Sequence, residues 1–241
     1  MQQIDTLLGE LNQYRANENY RITEALEIEY TYDSNRIEGN TLTLHETDMV
    51  VNKGITIAGK GLREHLEAIN HKEAIDFIKD IAQKKEPISE RVLLDIHAIV
   101  LHSIDKDNAG KYRRVPVIIS GSKHIPPQPY LLQPKMDELF QWYEANKDSM
   151  HPVILAAQMH EKLVSIHPFI DGNGRTARLL MNLILMQHGY PIANIKGDNE
   201  TRRRYYETLE EASSGDNSAF VEFIEDVVIQ SLTYYLKIIR G

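Results

Sequence analysis

The run His167-Pro-Phe-Ile-Asp-Gly-Asn-Gly-Arg-Thr-Ala-Arg178 sets an imidazole, a carboxylate, a glycine-rich turn and two guanidiniums at the threshold of an apolar helix. Residues of these types at this spacing suit polyphosphate chemistry. Gly172 and Gly174 let the backbone turn so that successive N–H groups converge on one anion, and the positive end of a helix starting near Arg175 adds to them. Arg175 and Arg178 share a face of that helix near its N-terminus, where cations are disfavoured unless an anion is also present. Two planar guanidiniums paired with polyphosphate resolve the conflict. Asp171 is a hard oxygen ligand that fits Mg2+ completed by phosphate oxygens and water, and Asn173 can hydrogen-bond a phosphate without adding charge. Pro168 forces the chain out of helix beside His167, whose unperturbed pKa of about 6.5 suits a proton acceptor near neutrality.

Other motif readings fit less well. The run lacks the Gly-Lys-Ser/Thr ending of a Walker A loop, and a helix rather than a strand precedes it, which argues against a dinucleotide fingerprint. His160-Glu161 begins like a zinc-protease helix, but Val164 stands where the second histidine is needed, so His160 and the other scattered histidines read as structural.

Helical periodicity surrounds this segment. Ile4, Leu7, Leu8 and Leu11 share one helix face, and Thr43-Leu-His-Glu46 has capping-box spacing that opens a short helix before Gly54. The pattern predicts further helices over Leu62 to about Lys84, from Ser89 to about Val100, through Leu139 to Tyr143, from Val153 to Ile166, from Arg175 to His188, from Thr201 to about Ala212, and from Ser218 nearly to the end. Between about Asp107 and Pro129 β-branched residues precede a Ser120-Gly121-Ser122 turn, which reads as a β-hairpin confined by Pro116, Pro126 and Pro127 to an edge or an exposed flap. With no repeat or linker, the expected architecture is mainly helical. An N-terminal helical region (1–60) and a core (61–241) form one compact unit.

Composition bounds the function. The 241 residues, 42% hydrophobic and 26% charged, suit a globular protein able to bury a core. Zero cysteines exclude disulfides, thiolate zinc sites and a cysteine nucleophile. A formal charge of -8 disfavours a general nucleic-acid-binding surface. No secretory signal or run of about 20 apolar residues is visible, so no membrane association is expected and a cytoplasmic location is.

The twelve residues His167 to Arg178 resemble in full the signature of Fic-domain adenylyltransferases, a likeness that extends from roughly Ser34 to Phe223 through Lys123-His-Ile-Pro-Pro127 and Leu179 to Met186. It implies a Fic fold, a helical bundle with a short β-hairpin flap, and transfer of AMP from ATP to a hydroxyl side chain of a protein or of the enzyme itself, with Mg2+ on the phosphates. His167 is then the base and Asp171 the metal ligand. Gly172, Asn173 and Gly174 form the anion hole, and Arg175 and Arg178 hold the distal phosphates. Ser120, Gly121, Ser122, Lys123 and His124 belong to the flap that lays the target in place by strand pairing. Tyr205 and Tyr206 contact the nucleoside, and Ser213 stands where close relatives carry an asparagine.

Upstream, Ser34-Asn-Arg-Ile-Glu-Gly-Asn40 resembles the family's inhibitory motif, with Ser34 and Glu38 on one helix face ended by Gly39. The resemblance pairs Glu38 with Arg178, a mostly buried contact whose breakage costs on the order of 3–5 kcal/mol, and blocks the seat of the γ-phosphate. It also leaves two other readings: Glu38 orienting a water that removes AMP from a modified protein, or a nucleotide-sensing regulatory module without catalysis. A homo-oligomer that shifts the 34–40 helix is a natural regulator.

Overall fold

A computed structural model describes residues 1–17 and 20–240. The described chain forms α1 (Gln2–Tyr14), α2 (Tyr20–Ile37), α3 (Leu44–Lys53), α4 (Leu62–Lys84), α5 (Glu90–Val100), α6 (Leu132–Asn146), α7 (Pro152–Ile166), α8 (Asn173–Gln187), α9 (Asn199–Ser213) and α10 (Ser218–Arg240), with 3-10 turns at Arg15–Asn17 and Pro129–Leu131. The axis of the bundle is α8. It is apolar on every side through Leu179, Leu180, Met181, Leu183, Ile184 and Leu185, and each residue from Arg175 to Leu185 is buried. It packs along α7 on one side and against α4 and α5 on the other, while α10 covers α7 and α9 and carries α1 on its outer face. Asn182, polar within this helix, is satisfied by both main-chain groups of Ala193.

Two boundaries place the site. Pro168 prevents α7 from continuing, and His167 closes it in the left-handed region at φ 50, ψ 58, its N–H still donating to Leu163 O at 3.0 Å. Gly172, at φ 78, turns the chain into α8, which begins at Asn173, two residues before the position expected from the sequence. At the other edge α2 ends at Ile37, so Glu38 stands just past its last turn, and Gly39 at φ 96 reverses the chain toward α3. Asp33 fixes that end by accepting from Gly197 N and Asn194 Nδ2. The capping box of α3 forms as its spacing predicts, Thr43 and Glu46 each bonding the other's main-chain N–H.

The expected β-hairpin is absent: among the described residues there is no strand. Residues 113–128, hereafter the flap, are extended but unpaired, and their one internal main-chain bond is Ser122 N to Ile119 O at 3.2 Å. Pro116, Pro126 and Pro127 remove donors that a ladder would need. Side-chain bonds to other elements hold the segment instead. Glu210 of α9 accepts from the Ser122 hydroxyl and from Lys123 N, and His124 Nε2 donates to Ser165 O at 2.7 Å.

Candidate active site

The turn between α7 and α8 is closed by its own residues and by α5. Asn173 accepts from Phe169 N and donates to Phe169 O, so its side chain is committed to the loop and only its main-chain N–H is left for a ligand. His97 of α5 stacks on Phe169 at 3.6 Å and donates from Nε2 to Asp171 O at 2.9 Å, while its Nδ1 accepts from Gly110 N. Burial holds His97 neutral, its pKa lowered to about 4. Gly172 lies against His97 and Val100, and its positive φ suits glycine alone. Sequence reading missed His97, whose partners are 13 and 74 residues away.

His167 is mostly buried, and its Nδ1 is enclosed without a hydrogen-bond partner among the described residues. Burial, aided by the positive charge of Arg113, pushes its pKa below the ordinary histidine value despite the opposing Val164 carbonyl and Glu38. The ring is thus a free base at neutral pH, suited to accept a proton.

Asp171 and Arg175 belong to a closed ring of charges. Arg63 of α4 bonds both Asp171 and Glu67, and Arg175 reaches Asp171 at 3.2 Å and Glu67 at 3.6 Å. Burial alone would raise the Asp171 carboxyl, but Arg175, the Gly172 N–H and Arg63 together hold it below its usual range. Arg175 is buried, yet its Nε and Nη1 meet no acceptor in hydrogen-bond geometry. A buried guanidinium with unmet donors is demand for an anion. Arg63 and Glu67 carry no sequence signal beyond an i,i+4 pair on a helix.

Arg178 is wholly buried and fully engaged: Nε donates to Ser34 Oγ, Nη2 to Ser34 O and to Glu38 Oε1 at 2.7 Å, and Nη1 to Tyr205 OH at 3.3 Å. Burial opposes its charge, but Glu38 and the tyrosines restore it and raise its pKa. The Glu38 carboxylate rests over Gly174, where any Cβ would collide with Oε1. It thus lies across the first turn of α8, whose N–H groups have no intrahelical partner. Glu38 is 33% exposed, and Arg178 keeps three other bonds without it. The cost of withdrawing Glu38 is then that of one charge-assisted hydrogen bond, about 1.5–3 kcal/mol, below the sequence-based figure.

Tyr205 lies behind Arg178 rather than in an open pocket. It is 1% exposed, packs against His160, Phe220 and Phe223, and bonds His160 Nε2 at 3.1 Å. Burial keeps His160 neutral, with a pKa lowered to about 3, in the structural role read for it. Tyr206 is 42% exposed, donates to Ile37 O and lies under Arg202. Ser213 bonds Glu210 O and lines an open groove of about 690 Å3 with Lys123, His124, Ile125 and Glu207. The flap residues Ser120 and Gly121 are exposed at the tip.

A family model described as Fic/DOC family matches residues 87–185. The chain is 41% identical over 211 residues to a protein adenylyltransferase Fic of Culex quinquefasciatus, covering 87% of this chain and 41% of that protein. To the protein of the same name in Nematostella vectensis it is 39% identical over 210 residues, covering 86% and 48%. The chain therefore spans less than half the length of these curated relatives. Among solved structures, Fic-1 (aa134–508) from C. elegans superposes with a TM-score of 0.87 at 30% identity, covering 99% of this chain and 72% of that one.

Proposed function

The chain belongs to the Fic/DOC family, and from that premise we propose that it transfers AMP from ATP to a hydroxyl side chain of a protein and is held at rest by Glu38. The observation that carries this reading is a protein carboxylate seated on Arg178 over the open start of α8. The seat accepts an anion, and the chain supplies its own.

The hydroxyl oxygen of the target attacks the α-phosphorus of ATP, its proton passes to His167, and the bond to the β-phosphate breaks so that pyrophosphate leaves. The first N–H groups of α8 and the unmet donors of Arg175 take the phosphate oxygens, and Arg178 takes the distal phosphate when Glu38 withdraws. Such a transfer needs positioning and charge neutralisation more than covalent help from the protein. Among the described residues no group of three or more acidic or histidine side chains could hold a metal. Asp171, partly exposed and already oriented by Gly172 N, fits Mg2+ whose other ligands are phosphate oxygens and water. The ion would neutralise phosphate charge there. The unpaired flap offers its edge to an extended target segment, and the groove lined by Ser213, Lys123 and His124 takes the nucleoside.

Glu38→Gly tests the reading. With ATP labelled at the α- or γ-phosphate, transfer to the protein itself or to lysate proteins is expected from the α-label only, at roughly 10- to 150-fold the parent rate. An unchanged rate, or label from the γ-position, refutes it. A second reading has one observation in its favour: the Glu38 carboxylate is held over the first turn of α8, on Arg178 and against Gly174. A carboxylate there can orient a water for removal of AMP, and release of AMP from a modified target by the parent but not by Glu38→Gly protein distinguishes the two.

A further inference from the structure

Arg113 is 3% exposed and forms no ion pair among the described residues. Its guanidinium spends its donors on three main-chain carbonyls: Nε on His167 O at 2.9 Å, Nη1 on Val115 O at 3.0 Å and Nη2 on Pro127 O at 2.6 Å. Its own N–H donates to Pro168 O at 2.9 Å. One side chain thus gathers both arms of the flap and the main chain of the histidine. Burying a guanidinium with carbonyl partners alone is costly, and burial lowers its pKa. A charged fork is retained where an apolar side chain would suffice for packing, so its geometry has to matter.

The carbonyl it grips belongs to a strained residue. His167 adopts the left-handed region that non-glycine residues rarely enter, and such conformations persist where surrounding contacts over-determine them. Pro168 denies the turn one main-chain donor, and Pro126 and Pro127 deny the flap two more. Arg113 provides bonds on both sides of this gap.

We propose that Arg113 is a positioning residue that locks the left-handed turn at His167 and fastens both arms of the flap to it, so that base and target strand share one fixed geometry. This rests on the transfer reading above. Arg113 touches neither the anion seat nor Asp171, so its loss affects the rate of transfer rather than the binding of ATP. Misplacement of a base by about 1 Å costs up to roughly 100-fold.

The experiment uses the full chain carrying Glu38→Gly, with Arg113→Lys and Arg113→Gln added separately. Lysine keeps the charge but one ammonium cannot span three carbonyls in a plane. Expected in both is a roughly 10- to 100-fold fall in kcat with the dissociation constant for a fluorescent ATP analogue unchanged. The imidazole resonances of His167 in 15N-histidine spectra, assigned by their loss in His167→Ala, move in both variants. Should Arg113→Gln fail to fold, Arg113→Lys carries the test. Unmoved His167 resonances, or a fall in transfer matched by lost ATP affinity or by unfolding alone, overturn the proposal. If Glu38→Gly itself moves no AMP, the transfer reading fails, whereas the His167 resonances of Arg113→Lys still judge the positioning role.

Discussion

Between α7 and α8 the chain closes on itself: Asn173 takes both main-chain groups of Phe169, Gly172 N binds the neighbouring Asp171, and His97 stacks over the loop. Across the site the flap has one internal main-chain bond and depends on Arg113, Ser165 and Glu210 for its course. Both are irregular segments beside His167, but their stability has different origins. A turn built mainly from bonds within four residues draws most of its shape from its own sequence, with His97 and Arg113 bracing it from outside. A segment held by its own Arg113 and His124 on main-chain carbonyls and by Glu210 of α9 has no ladder of its own, and under the proposed function its edge is left to a target strand.

Substituting His167 makes the sharpest cut between the two. In Glu38→Gly protein, His167→Ala is expected to lower AMP transfer by roughly 100- to 10,000-fold with ATP affinity retained, because the anion seat belongs to the turn and not to the ring. Comparable loss of ATP binding would show that the turn depends on the histidine for its shape.

A second expectation concerns acid. His71 is buried and its pKa is lowered by burial and by Arg178 and Arg175, and those of His97 and His160 are lowered to about 4 and about 3. The unfolded chain takes up these protons below about pH 6.5 while the folded chain does not, so stability falls as pH drops from there. Each histidine contributes a slope of up to about 1.4 kcal/mol per pH unit. Thermal unfolding at pH 7.5 and pH 5.0 measures it, and a melting temperature that does not fall contradicts the assignment. His97→Gln should reduce the difference, since His97 is the one of the three that braces the turn.

The smallest effect belongs to the flap. Glu210→Gln weakens its hold on Ser122 and Lys123, and Glu210 also lines the groove beside Ser213, so a few-fold rise is expected in the KM for the protein target and a similar one in that for ATP. Steady-state kinetics with the target identified by labelling decide it, and a change in neither constant would show that this contact does not hold the flap.

The legible parts of the molecule share one property: their determinants lie close together in the chain. The α3 capping box, α4 with its apolar face, the Pro168 break and the glycine turn all follow from residues a few positions apart. Ser34 and Glu38 were readable only through likeness to a known motif, and the structure then places them on Arg178, 144 and 140 residues away. The flap was misread because β-branched residues around a Ser-Gly-Ser turn suit a hairpin, while the prolines that prevent the ladder were taken as edge markers. Arg63, Glu67, His97 and Arg113 carry no signal of their own because ordinary surface residues share their types, and only tertiary contacts distinguish them. Arg114, beside Arg113 in sequence, is exposed. Tyr205 read as a nucleoside contact, but the helix turns it inward to brace Arg178.

That brace has a consequence for preorganisation. A free arginine side chain carries about 2 kcal/mol of rotamer entropy, which a ligand must ordinarily overcome to immobilise it. Ser34 and Tyr205 hold the Arg178 guanidinium in place whether or not Glu38 is present. The ordering cost is met when the chain folds, and an incoming phosphate competes with a carboxylate alone. If Glu38 holds the enzyme at rest as proposed, its relief is local, a movement of one side chain past the end of α2, with the seat behind it left intact.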